Sequence, residues 1–489
     1  MLKNSHRIFY LVLGMAIFGA VYNLFLPLHP DEAYYWQWSR HLDLSYYDGP
    51  PLMAYLIRLS TTLLGTSAFT VKLPAVLCMS VGLWFVAKLT QKISDEKTAF
   101  TALCLLTALP IVQAGFVIST LDPALFCFWS LSLYSFYVAV FENKNSYRYL
   151  TGIFVGLTFL AKYTGIFLPL GFLVFLLCSK TYWREFKNIH WIAAGLLALI
   201  VVSPVLIWNI QHDFIAFSYQ YHHGVADQKI FQWTMMGYFI GTQMAIVNPI
   251  FFVMIFVVLV RYWRCFVIPA QAGIHGPLDP SLRGDDGKKI ALRYLTILFL
   301  TPFLFFFYQS WFQLSLANWA VPAYISIAIV VAYFMVKYHY KKTYIALMSL
   351  SILLLCLLRF PFLFPLPGNA VMISKFLGYS ELFSQVAPLE KAGEPIIANS
   401  IQVASEAAFY LPGRPETYIL DDWREYQFWS ADLEQAILSG KIKSGLFVVD
   451  PADDQDVSKY FKNKILLKTV TYQGRWDTKT LDIYRVWNQ

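Results

Sequence analysis

The sequence predicts a polytopic α-helical membrane protein with a small α/β domain in its C-terminal part, outside the cytoplasm, and three observations carry that prediction. Of 489 residues, 57% are hydrophobic and 14% charged, more apolar surface than a soluble chain hides. The excess lies in uninterrupted blocks long enough, or nearly so, to cross about 30 Å of hydrocarbon as helix. From about residue 367 the blocks cease and the composition becomes that of a soluble domain.

Single spans are expected at 8–28, 67–87, 98–115, 120–141, 191–210, 235–260, 294–309, 318–336 and 344–364. The first follows MLKNSHR and looks like a signal peptide, but it is too long and lacks a small-residue cleavage site before HPDE, so it is read as a retained span. Block 149–178 is too long for one upright helix and holds Lys162 in its middle, where a charge costs about 2.5–3.5 kcal/mol on insertion scales. Lys144 and Arg148 precede the block, while Lys180, Arg184 and Lys187 follow it. Both ends are therefore assigned to the cytoplasm and the block crosses twice, with Lys162 at the outer turn beside Tyr163 and Gly165. About eleven spans result, with the N-terminus inside. The inferred cytoplasmic segments then hold roughly nineteen Lys and Arg and the short outer ones about four, the asymmetry of the positive-inside rule. Segments 29–66, 116–121 and 211–234 share the outer side with Lys162 and with the C-terminal domain, 367–489; the membrane domain is 1–366.

The net charge of +8 does not indicate nucleic acid, because the cations are scattered singly between apolar blocks; loop topology accounts for them. Cys78, Cys104, Cys127, Cys178, Cys265 and Cys356 lie in or beside apolar blocks without metal-ligand spacing, as small buried hydrophobes do. Within the cytoplasmic loop 261–293, the Gly- and Pro-rich stretch VIPAQAGIHGPLDPSLRGDDGKK (267–289) resembles peptides encoded by mobile palindromic repeats in bacterial genomes. It reads as a tolerated insertion. In the C-terminal part EPIIANS and SGLFVVD read as strands, SEAAFY as a helix, and ILLKTVTYQGRWDTKTLDIYRVW as a hairpin. The run DDWREYQFW (421–429) is expected to pack this domain down rather than to contact a sugar.

The chemistry is sought in the outer segments. In HPDEAYYWQWSRHLDLSYYDGPPLMAYLI the PDEAYYWQW portion predicts a helix with Pro and acids in its first turn, and YYDGPP a turn. Asp31 and Glu32 there either complement the helix dipole or serve a transferase, one deprotonating a hydroxyl nucleophile beside an acidic neighbour that raises its pKa. Asp122, in STLDPALF, is a helix cap before Pro or a second acid on the same side. Lys162, Arg58, His222, His223 and Arg359 are candidate cations for an anionic headgroup, the alternative for Lys162 and Arg359 being snorkelling; Tyr47 joins them as a binding residue. A metal on His222, His223 and Glu32 is possible chemistry but disfavoured, since adjacent histidines rarely face one ion, and no cofactor is expected.

These motifs in order, HPDEAYYWQW…LSYYDGPPLMAYLI, STLDPALFCFWSL, LAKYTGIFLPL, SPVLIWNIQHDFIAFSYQ, VNPIFF and ANWAVPAYIS, resemble bacterial glycosyltransferases of the family 39 type, in the superfamily called GT-C. Protein mannosyltransferases and the lipid A aminoarabinose transferase are relatives of that type. The resemblance runs from His29 to the last span, and FYLPGRPETY…EYQFW is similar to the periplasmic domain of the same proteins. It implies a sugar donor on polyprenyl phosphate and inverting transfer on the periplasmic face of the bacterial inner membrane. The acceptor would be an envelope glycolipid (lipid A or core lipopolysaccharide), another glycan or a protein. Carried over, Asp31 is the base, Glu32 its neighbour and Asp122 the second-loop acid, with the leaving phosphate stabilised by Lys162, Arg359 or the histidine loop. One departure is plain: aminoarabinose transferases have a KPP turn whose lysine reaches the lipid phosphate, where this chain has Gly49-Pro50-Pro51. A carrier or flippase of polyprenyl-linked sugars is the rival reading, set back by the absence of an internal repeat.

Overall fold

The computed structural model describes residues 2–224, 230–261, 285–364, 371–421, 424–452 and 457–488. The expected insertion at 267–289 lies outside them except for its last few residues, which open a helix, and Cys265 lies outside them altogether. The chain is mostly helical: α1 (Leu2–Leu24), α2 (Pro30–Arg40), α3 (Leu52–Leu64), α4 (Ala68–Ile93), α5 (Glu96–Thr107), α6 (Pro110–Gly115), α7 (Leu121–Phe141), α8 (Asn145–Ala161), α9 (Phe167–Cys178) and α10 (His190–Gln211). There follow α11 (Ile215–Gly224), α12 (Trp233–Val247), α13 (Pro249–Arg261), α14 (Asp285–Gln309), α15 (Val321–Lys337), α16 (Lys341–Arg359), α17 (Tyr379–Val386), α18 (Ile401–Tyr410) and α19 (Tyr426–Leu438).

This is a multi-pass membrane protein. Among the described residues seven helices are long and apolar enough to cross a bilayer, or up to nine if each of two bent pairs is one span. The two remaining spans of the expected eleven fall on α5–α6 and α8, whose helices of 12, 6 and 17 residues are short. At 1.5 Å per residue α8 is about 25 Å long. Block 149–178 does break at Lys162, as its length required: α8 ends at Ala161, a 3₁₀ turn covers Tyr163–Ile166, and α9 starts at Phe167.

The chain forms two compact units. The first comprises Met1–Tyr22, Gly49–Met53 and Leu73–Leu355. Its helices approach closely where glycine permits: a Cβ on Gly152 of α8 would lie 2.1 Å from the Ala194 carbonyl oxygen of α10. Two of its buried phenols are paired, as apolar surroundings favour: Tyr294 donates to the Leu133 carbonyl and Tyr324 to Gln243.

The second unit comprises Asn23–Asp48, Ala54–Lys72 and Cys356–Gln489. Its sheet has the order β2 (Thr417–Tyr418), β1 (Ile396–Ala398), β3 (Ser444–Val449), β5 (Thr478–Trp487), β4 (Asn463–Gln473). Strand β1 runs parallel to β2 and β3, and β5 is antiparallel to β3 and β4. The strands and hairpin expected from sequence are present, and SEAAFY lies in α18; β2, two residues long, carried no readable pattern. Ile397, Leu420, Leu433, Phe447 and Val486 form the core of the sheet and α19.

Candidate functional site

Helix α2 begins as its sequence dictates. Pro30 opens it, and side chains cap its first turn: Glu32 accepts from the His29 backbone N–H at 2.8 Å, and His29 Nδ1 accepts from the Asp31 N–H at 3.2 Å. Burial drives the His29 pKa down, against the pull of Asp31 and Glu32, which agrees with an unprotonated Nδ1.

The two adjacent acids end in opposite surroundings. Glu32 is fully buried and forms an ion pair with Lys72, which is also fully buried and stacks over the Phe376 ring at 4.9 Å. The Asp31 side chain is 53% exposed, lies 3.6 Å from His29 Nδ1, and its carboxylate accepts no hydrogen bond among the described residues. The charge of Glu32 is thus paired inside the protein, while the Asp31 carboxylate is open to solvent beside His29. Sequence spacing did not distinguish the two acids; burial does.

The C-terminal residues build the rest of this neighbourhood. Trp36 of α2 meets Phe409 of α18 edge-on at 4.9 Å, Gln37 donates to Thr417 and Tyr426, and Arg40 and His41 both engage Glu416. The backbone N–H of Tyr47 donates to Glu425 at 2.6 Å, and Asp48 accepts from Tyr34 and Arg424. The run DDWREYQFW therefore packs the domain against the outer segment, as expected for Arg424, Glu425 and Tyr426; Asp422 and Trp423 lie outside the described residues. Glu406 on α18 is fully buried and neither carboxylate oxygen has a hydrogen-bond partner among the described residues. Its pKa is pushed well up, first by burial, then by the charges of Glu32 and Asp31, against Lys72 and Lys479.

Arg58 is exposed on α3 and Arg359 is buried at the end of α16. Tyr47 is half-buried and its phenol is raised, chiefly by desolvation. Asp31, Glu32, Tyr47, Arg58 and Arg359 all belong to the second unit.

Within the first unit, Asp122 is not the cap of α7. Thr120 occupies that position, and Asp122 is the second residue of the helix, where one oxygen accepts from Lys162 at 2.6 Å and the other from Asn318 at 2.9 Å. Lys162 is 14% and Asp122 21% exposed, so a second-loop acid and the break-point cation form one partly sheltered pair. His222, on α11, is exposed and its Nδ1 lies 2.8 Å from the Ser218 carbonyl; the His223 side chain lies outside the described residues. No group of three His, Cys, Asp or Glu among the described residues is placed to hold a metal ion.

Sequence reasoning missed Lys72 and Glu406. Lys72 lies inside the apolar block 67–87 and Glu406 inside a soluble helix, with nothing local to mark either.

Residues 48–208 match the family described as dolichyl-phosphate-mannose-protein mannosyltransferase. The lipid A galacturonosyltransferase RgtD of Rhizobium johnstonii is 27% identical over 481 residues, covering 93% of this chain and 92% of that protein. The crystal structure of ArnT from Cupriavidus metallidurans bound to undecaprenyl phosphate superposes with a TM-score of 0.68 at 15% identity, over 96% of this chain and 97% of that one. Its apo form gives 0.68 at 14% identity, over 98% of each.

Proposed function

We propose that this chain, a glycosyltransferase of the family 39 type with the GT-C fold, moves a sugar from a polyprenyl-phosphate donor onto lipid A or its core glycolipid. The reaction takes place on the periplasmic face of the bacterial inner membrane, with the N-terminus in the cytoplasm and 367–489 in the periplasm. The name of the full-length relative supports the acceptor class, and the undecaprenyl phosphate bound in the similar fold supports the donor. The sugar is the finer question that mass spectrometry of envelope glycolipids, with and without the gene, answers.

One observation carries the mechanism: Asp31 is the open carboxylate of an acidic pair whose other member is neutralised. In the proposed reaction the acceptor hydroxyl oxygen attacks the anomeric carbon while Asp31 takes its proton. The bond from that carbon to the phosphate oxygen breaks, the configuration inverts, and polyprenyl phosphate departs with the electron pair. Lys162, held beside Asp122 and Asn318, is assigned to the departing phosphate, the place that the family's KPP lysine would take; Arg359, Arg58, Tyr47 and the His222-His223 segment are further binding candidates. Glu32 and Lys72 fix the helix that presents Asp31.

Asp31→Asn tests the reading. A general base contributes typically 10²–10⁴-fold, so transfer of sugar from purified donor to lipid A in proteoliposomes is expected to fall by about that factor while donor binding persists. Unchanged transfer removes Asp31 from the role; movement of donor across the membrane without transfer would favour the carrier.

A further inference from the structure

Away from the acids, the first unit holds a cavity of about 670 Å³ enclosed by α8, α9, α10 and the segment that joins the last two. Its walls are apolar: Phe172, Leu173, Leu176, Ile192 and Ala198 among them. Leu173, Ile189 and Ile192 also stand exposed at its margin, so it opens sideways from helices that cross the bilayer. An apolar recess in that position faces acyl chains.

The joining segment supplies what an acyl chain alone would not need. The short 3₁₀ helix Lys180–Lys187 turns 119° from the helical stretch before it. It carries Lys180, Arg184 and Lys187 together with half-exposed Trp183 and Phe186. Basic residues, a tryptophan and a sharp change of direction at a span's end describe a segment lying in the headgroup layer. Lys187 and Asn188 line the cavity itself. The one carboxylate of the lining, Glu185, carries no uncompensated charge: Arg148 donates to it three times, at 2.7, 3.0 and 3.0 Å, and Trp191 donates to it at 2.9 Å. Both members of that pair are buried, so the mouth is left net positive.

We propose that this groove is a binding site for an anionic glycerophospholipid, one acyl chain in the recess and its phosphate at Lys187 and Asn188. In the proposed orientation this is the cytoplasmic leaflet, where the chemistry of Asp31 does not take place, so the site is a structural or regulatory lipid site rather than the donor's.

A filling substitution tests it without disturbing packing. Gly195 lines the groove, and a Cβ there meets no atom within 4 Å, whereas Gly152 has no such room. The full chain in detergent would be titrated with phosphatidylglycerol, phosphatidylcholine and polyprenyl phosphate and read by native mass spectrometry. The expected result is retention of phosphatidylglycerol over phosphatidylcholine, loss of that adduct in Gly195→Phe, and about a fivefold smaller preference in Lys187→Gln, the effect of one basic residue at an anionic headgroup. Equal binding of the two phospholipids, a preference for polyprenyl phosphate, adducts indifferent to Gly195→Phe in a variant that melts like the parent, or a dimer that Gly195→Phe dissociates would each overturn the proposal.

Discussion

Replacing Lys72 by Met keeps the length of the side chain and removes its charge, leaving Glu32 fully buried and still accepting from the His29 N–H but without its counter-charge. Breaking a buried ion pair from one side costs about 3–5 kcal/mol. An upper bound comes from letting the carboxyl take a proton instead: about 1.4 kcal/mol for each pH unit above an ordinary glutamate's value of about 4.3, hence about 3.7 kcal/mol at pH 7. The same arithmetic gives only about 1 kcal/mol at pH 5. The sign follows: a carboxyl forced to stay protonated in the fold stabilises fully at low pH and loses that contribution as pH rises. The loss in Lys72→Met should therefore grow from pH 5 to pH 7. Adding Glu32→Gln removes the orphaned charge while its amide oxygen still accepts the His29 N–H, and the double variant should recover most of the stability. Thermal unfolding of the purified protein in detergent micelles, followed by tryptophan fluorescence at both pH values, measures this. A Lys72→Met variant as stable as the parent at pH 7, an equal loss at pH 5 and 7, or a double variant no better than the single would refute the reasoning.

Two further outcomes are expected. Glu406 is buried, without a hydrogen-bond partner among the described residues, and pushed up in pKa, so its contribution is complete at low pH and falls as pH rises; Glu406→Gln should raise the melting temperature more at pH 8 than at pH 5, and an equal shift at both would place the titration elsewhere. Lys162→Met removes a charge-assisted contact worth roughly 1.5–3 kcal/mol, so the KM for donor should rise by about 10- to 100-fold with Asp122 still held by Asn318; a normal KM with lowered kcat would assign Lys162 to the transition state alone.

Local patterns were legible where the chemistry is local. Pro30 with two acids after it specified the start of α2, the length of 149–178 specified a break at Lys162, and alternation specified β4 and β5. Helix count was less secure, because α5, α6 and α8 are shorter than their apolar blocks, and hydropathy does not register where backbone bonding stops. The capping explanation of Asp122 failed for a similar reason: Thr120 and Asp122 are two residues apart, and either precedes an apolar helix.

By itself the sequence determined that this chain crosses a membrane repeatedly, carries a small α/β domain, and places an acidic pair at the head of a short helix. Those are consequences of composition, period and nearest neighbours. Only the tertiary structure decided what each acid pairs with and whether water reaches it. Glu32 is silenced by a lysine forty positions away, Asp122 is held by Lys162 and by Asn318, and Glu406 is sealed in beside the first pair. Such partnerships are set by which helices pack together. Desolvation then acts on each carboxylate according to the partner it finds, leaving Asp31 open and Glu32 closed.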